Sequence, residues 1–139
     1  MNYLLDTCVL SELIKPQPNQ NVATWIEKIQ ECHLYISALT MGEIQKGISR
    51  LENSKKKQSL QIWLEQDLAA RFSGRILSVD AEISLEWGNM QGQAIRSGTT
   101  LPVIDSLIAA TAKCHNLTLV TRNLEDFKNL PINLNNPWL

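Results

Sequence analysis

Apolar residues along this chain fall either in short continuous runs or in longer stretches at helical spacing, and the two kinds alternate from end to end. The run Tyr3-Leu4-Leu5 stops on the acid Asp6, as a buried strand does, and Val9 to Lys15 reads as a helical turn before the breakers Pro16 and Pro18. Val22, Trp25, Ile26 and Ile29 then share one face of a helix over Asn21 to Gln30, and His33 to Ala38 is a second buried strand. Thr40 opens a helix to Leu51 with the stripe Met41, Ile44, Ile48 and Leu51, while Glu43, Lys46, Gly47 and Arg50 lie on a different face. Leu60, Trp63, Leu64 and Leu68 predict one long helix over Asn53 to Phe72, punctuated by Gly74. Ile76 to Val79 is a third strand; Asp80 caps a helix running to Arg96, with Ser97-Gly98 as its stop. Pro102 takes a first-turn position in a helix whose Ile104, Leu107, Ile108, Ala109, Ala110 and Ala112 suit close packing on a sheet. Leu117 to Val120 is a fourth strand, and Ile132 to Leu134 adds a short fifth.

Strands alternating with helices imply a parallel sheet covered on both sides, because crossover connections place helices there. The expected class is α/β: a three-layer α/β/α sandwich with a central, mostly parallel sheet of four to five strands. The 139 residues fit a single domain, 1–139, and 44% hydrophobic residues suffice for one packed core. No apolar run approaches the ~18 residues of a membrane span, and no signal-peptide pattern opens the chain, so a soluble cytoplasmic protein with no membrane partner is expected. Cys8, Cys32 and Cys114 form an odd, widely spaced set that suggests neither disulfides nor zinc. A net charge of -1 argues against gripping nucleic acid by bulk electrostatics, leaving local charge or a metal.

Three acids fall at equivalent places: Asp6 after strand one, Glu43 in the helix turn after strand two, and Asp105 in the helix turn before strand four. In open parallel sheets ligands lie beyond the carboxyl ends of the strands, so these acids face one rim. Clustered carboxylates repel and call for a cation, and hard oxygen ligands suit Mg²⁺ or Mn²⁺ acting on a phosphodiester. Each acid also has a plainer reading. Asp6 can cap the helix after it, Asp105 can favour its helix's positive end, and Thr40-Met41-Gly42-Glu43 matches a capping box. Lys46 and Arg50 fit either surface ion pairs or phosphate contacts, and Lys55-Lys56-Lys57 either a solvated helix start or a nucleic-acid patch.

The acids stand inside local signatures: Leu5-Asp6-Thr7-Cys8-Val9-Leu10-Ser11-Glu12, Ile36-Ser37-Ala38-Leu39-Thr40-Met41-Gly42-Glu43-Ile44, Asp105-Ser106-Leu107-Ile108-Ala109-Ala110-Thr111-Ala112 and Leu119-Val120-Thr121-Arg122-Asn123. With these the chain resembles the PIN-domain toxins of the VapC family, and Gly74-Arg75-Ile76-Leu77 and Asn136-Pro137-Trp138 bring it close to the FitB-like group. The resemblance implies a metal-dependent endoribonuclease of a type II toxin–antitoxin pair, using Mg²⁺ with Mn²⁺ as an alternative. Asp6, Glu43 and Asp105 match the family's metal-binding acids, and Thr7, Thr121 and Asn123 are expected to supply hydrogen bonds. Lys46, Arg50 and Arg122 are the expected substrate-facing bases. The implied partners are RNA, a VapB/FitA-like antitoxin, promoter DNA through that antitoxin, and a second copy in a homodimer.

Two positions depart from the pattern. Cys8 stands where the family usually has Asn or Ser, so a hydrogen bond to a neighbouring acid is expected to be missing; Asn123 stands where many relatives place a fourth Asp, so one tightly held ion is expected. Asp126 reads as a turn acid rather than a replacement ligand. Two rival classes remain: a phosphotransferase using Asp6 as nucleophile, which would want an Asp where Cys8 stands, and a non-catalytic interaction module in a DNA-binding complex.

Overall fold

The computed structural model describes residues 1–139 and turns the predicted alternation into five strands and eight α-helices. The strands β1 (Tyr3–Leu5), β2 (Leu34–Ser37), β3 (Ile76–Leu77), β4 (Thr118–Val120) and β5 (Leu134–Asn135) lie in the order β3-β2-β1-β4-β5, every pair parallel. Around them run α1 (Thr7–Leu13), α2 (Gln20–Lys28), α3 (Ala38–Ser49), α4 (Lys55–Ile62), α5 (Ala69–Arg71), α6 (Ala81–Arg96), α7 (Val103–Cys114) and α8 (Leu124–Phe127). None of these helices is long and apolar enough to cross a membrane.

Successive strand residues point to opposite faces, which divides the core in two. Leu5 and Val120 join Val9, Leu34, Ile36, Ile48 and Phe72 on one side, whereas Leu4 and Leu119 join Ile83, Met90, Ile108 and Phe127 on the other. The three layers are therefore those expected. Ala109, Ala110 and Ala112 are fully buried, and their small side chains let α7 lie close against the sheet.

Several local boundaries differ from the sequence pattern for identifiable reasons. The long helix from Asn53 to Phe72 is broken into α4, a π-helical segment Trp63–Leu68 and α5; no Gly or Pro marks the change, so periodicity alone reads straight through it. The fifth strand is shifted from 132–134 to Leu134–Asn135, because Pro131 offers no backbone donor and the Ile132 N–H closes a turn onto the Leu130 carbonyl at 2.8 Å. Within the triple lysine, Lys57 Nζ donates to the carbonyls of Ser49 and Leu51 (3.4 and 2.9 Å) and ties off the end of α3, while Lys55 and Lys56 are exposed. Gly74 and Gly98, read as helix stops, have φ of 79° and 72°, the left-handed region that favours glycine.

The capping box is also corrected. Helix α3 begins at Ala38, and its cap is Ser37, whose Oγ accepts the Leu39 N–H at 3.0 Å. Thr40 sits inside the helix, fully buried, and its hydroxyl is the one buried side-chain polar atom without a partner. Glu43 is thereby released from any capping role.

Candidate active site

In a sheet ordered β3-β2-β1-β4-β5 the chain winds outward in one direction from β1, then crosses to the other side to form β4. That reversal opens a crevice beyond the carboxyl ends of β1 and β4. Asp6 and Thr121, the residues immediately after those strands, stand there, joined by the Asp6 N–H to the Val120 carbonyl at 2.9 Å.

Asp6 is 6% exposed and doubly held: Oδ1 accepts the Thr7 N–H at 2.8 Å as the cap of α1, and Oδ2 accepts from Thr121 Oγ1 at 2.8 Å. The capping reading of Asp6 is thus correct, and it coexists with a carboxylate fixed at the rim. Cys8 Sγ lies 3.8 Å from Asp6 Oδ2, so the thiol retains a weak hydrogen bond to the acid, contrary to the expectation that it would be lost. Burial, followed by the Asp6 charge, raises the thiol's pKa and keeps it protonated.

Thr7 connects the first acid to the second. Its N–H donates to Asp6 Oδ1, and its hydroxyl donates to Glu43 Oε1 at 2.6 Å, so α1 and α3 present both carboxylates from one tie point. Asp105 enters from the first turn of α7. The start of that helix is anchored by Ser106, whose Oγ donates to the Pro102 carbonyl at 2.7 Å and accepts from Trp87 Nε1 and Gln91 Nε2 at 3.0 and 2.9 Å. Burial pushes the Asp105 carboxyl up to about 6, and the charges of Asp6, Asp126 and Glu43 push in the same direction.

Asp6 and Glu43 are thus linked through Thr7, and both act by charge on Asp105, as does Asp126, which the sequence reading set aside. Its signal was positional: it lies three residues after Asn123, within the short helix α8 that opens directly beyond β4. As they stand, no three of the His, Cys, Asp and Glu side chains close tightly enough on a common point to hold an ion. The donor set nevertheless fits a hard divalent cation: several carboxylate oxygens at one rim, with Asp105 raised to about 6 by burial and then by its acidic neighbours, a charge balance that a cation would relieve.

The supporting residues are more dispersed. Asn123 is exposed; its backbone N–H donates to Thr121 Oγ1 at 3.1 Å, and its side chain makes no hydrogen bond. Lys46 is exposed on the groove shared with Glu43, Leu39, Val79 and Ile104. Arg50 caps the far end of α3, roughly 10 Å along the axis from Glu43, and is not brought to the acids. Arg122 is exposed beside Thr121, its guanidinium over the Trp138 ring. His33 is structural, with Nδ1 2.6 Å from Asn2 Oδ1.

A parallel sheet of this order, with acids from three separate segments gathered at its carboxyl rim, is the arrangement of a PIN domain, and the chain belongs to that family: the PIN domain family model matches residues 3–133. Within the family its relatives include Toxin FitB of Neisseria gonorrhoeae, 38% identical over 97% of each chain. VapC ribonuclease Y4jK of Sinorhizobium fredii is 33% identical over 97% of this chain and 96% of its own. Among solved structures, a FitAB complex bound to a DNA fragment superposes with a TM-score of 0.92 at 36% identity, covering 99% of this chain and 96% of that one.

Proposed function

We propose that this protein is a divalent-metal-dependent endoribonuclease, the toxic component of a type II toxin–antitoxin pair, silenced by a VapB/FitA-like antitoxin. The observation that supports the reading is a crevice at which Thr7 ties Asp6 to Glu43 and Asp105 stands close enough that, after burial, the charges of Asp6, Asp126 and Glu43 help lift it to about 6. Relatives named as a toxin and a VapC ribonuclease, aligned over nearly the whole chain, support the same activity.

Asp6 and Asp105 are the residues that would hold Mg²⁺ or Mn²⁺. When bound, such an ion lowers the pKa of water and offsets the charge that develops on the phosphate. The protein's part is placement. Thr121 fixes the Asp6 carboxylate, and Ser106 fixes the helix start that bears Asp105. Glu43, held at Oε1 by Thr7, keeps Oε2 free to orient the water that attacks phosphorus. Lys46 and Asn123 supply outer contacts to the RNA strand. The antitoxin lays an extended segment across the crevice, promoter DNA is reached through it, and the protein pairs with a second copy of itself.

Purified protein incubated with structured RNAs, with Mg²⁺ or Mn²⁺ and with EDTA, tests this directly. Cleavage should depend on the metal and fall at least a hundredfold in Glu43→Gln, which keeps the fold because Ser37, not Thr40, caps α3. RNA left intact with both ions supplied would overturn this reading and favour instead a non-catalytic interaction module.

A further inference from the structure

Arg122, like Lys46 beside Glu43, is a cation near the site without a carboxylate partner, and of the two it alone is stacked on an aromatic ring. Lys15, Arg71, Arg75, Lys113 and Lys128 each pair with a carboxylate, whereas Arg122 pairs with none although it follows directly on Thr121, which holds Asp6. Its guanidinium carbon lies 5.4 Å from the centroid of the Trp138 ring. Stacking occupies the flat face of the guanidinium and leaves the in-plane N–H groups free for an anion.

Trp138 is not a loose chain end. Its indole packs against the core around Leu5 and Val9, its carbonyl accepts from Asn21 Nδ2 at 3.0 Å, and its N–H donates to Asn136 Oδ1 at 2.9 Å. The indole N–H also stands against the buried carboxylate of Glu12, whose pKa is lowered chiefly by the Asn19 N–H, then by Lys15. Glu12 lies one helical turn beyond Cys8 on α1, and Cys8 touches Asp6. A fixed aromatic platform thus holds an unpaired guanidinium on the residue that directly follows Thr121, the residue that holds Asp6 at the crevice.

We propose that Arg122 binds the RNA phosphate next to the one being hydrolysed, and that Trp138 is the positioning residue that keeps its guanidinium aimed there; this rests on the ribonuclease reading above. The carboxylates repel every phosphate except the one neutralised by the ion. A preset cation just outside them therefore sets the strand's register. Trp138 contributes by holding the planar fork in one orientation, so that less freedom is lost when the phosphate arrives.

The test compares Arg122→Ala, Trp138→Leu, Trp138→Phe and the double variant Arg122→Ala/Trp138→Leu. Leu keeps an apolar side chain against the core but removes the ring face, and melting temperatures verify folding. Two readouts are used: steady-state cleavage of a single-stranded RNA, and anisotropy of the same labelled RNA in EDTA across a salt series. Arg122→Ala should raise KM about five- to twentyfold, change kcat by less than about twofold, and flatten the log–log salt slope of binding by about 0.7. Trp138→Leu should reproduce the KM effect, Trp138→Phe should restore KM to within about twofold, and the double variant should be no worse than Arg122→Ala. An unchanged KM in Trp138→Leu, or effects that multiply in the double variant, would overturn the positioning role. A wild-type protein that binds RNA through Arg122 without cutting it would sink the ribonuclease reading and keep only the Arg122–Trp138 phosphate contact, whereas a protein that neither binds nor cuts RNA overturns both.

Discussion

Replacing Asp105 by Asn removes a negative charge from a place where three other carboxylates act on it. The ordinary value of 3.8 is raised to about 6 by burial first, then by Asp6, Asp126 and Glu43. Because the folded value exceeds the unfolded one, the folded protein binds this proton more tightly. The stability associated with it is complete below about pH 3.8 and is lost as pH rises through about 6. At full strength the rise corresponds to about 3 kcal/mol, and water screening around a half-buried side chain reduces that to about 1–2 kcal/mol. Asn cannot ionise, so Asp105→Asn escapes the loss. At pH 8 in EDTA it should be more stable than wild type by about 1–2 kcal/mol, or about 3–8 °C in Tm for a chain of this size. At pH 4 the two should melt together. Added Mg²⁺ or Mn²⁺ should raise the wild-type Tm and narrow the gap, since binding to the native state adds stability by mass action. Thermal unfolding followed by circular dichroism at pH 4, 6 and 8, with and without metal, measures all three effects. A variant less stable than wild type at pH 8, or a gap that persists at pH 4, would mean that Asp105 is favourably paired and that the repulsion argument is wrong.

Thr121→Val removes the hydroxyl that donates to Asp6 Oδ2 and accepts from Asn123 N–H in a fully buried setting, and should cost about 1–3 kcal/mol by urea unfolding while also lowering RNA cleavage. Ser37→Ala should destabilise by about 1 kcal/mol, because Ser37 is the true cap of α3. Thr40→Val should be neutral or stabilising by up to about 1 kcal/mol, since the Thr40 hydroxyl is buried without a partner; a clear loss of stability there would restore the capping box.

How much of this could be read from the chain differs from residue to residue. Asp6, Glu43 and Asp105 were legible because each stands at the end of an apolar run or in an adjoining first or second helical turn, and topology alone sends such positions to the carboxyl rim. Asp126 was not, because an acid in a four-residue helix looks like any surface charge until the fold sets it near Asp105. Trp138 was visible only as a family signature; that its ring lies under Arg122 depends on the β4–β5 pairing, which returns the chain to the α1–α2 connection.

The linear order of apolar and polar residues by itself determined the alternation of strands and helices, the layered class and the side of the sheet on which chemistry could occur, since burial period and crossover handedness are local rules; the π segment Trp63–Leu68 and the short helix α8 were not legible in it. Which hydroxyl holds which carboxylate was decided only by tertiary structure. Thr7 can reach Glu43, and Thr121 can reach Asp6, only after β1 is paired between β2 and β4, and Glu43 is freed from capping only once Ser37 takes that place. Such contacts join residues up to 115 positions apart, and no local periodicity encodes a separation of that length.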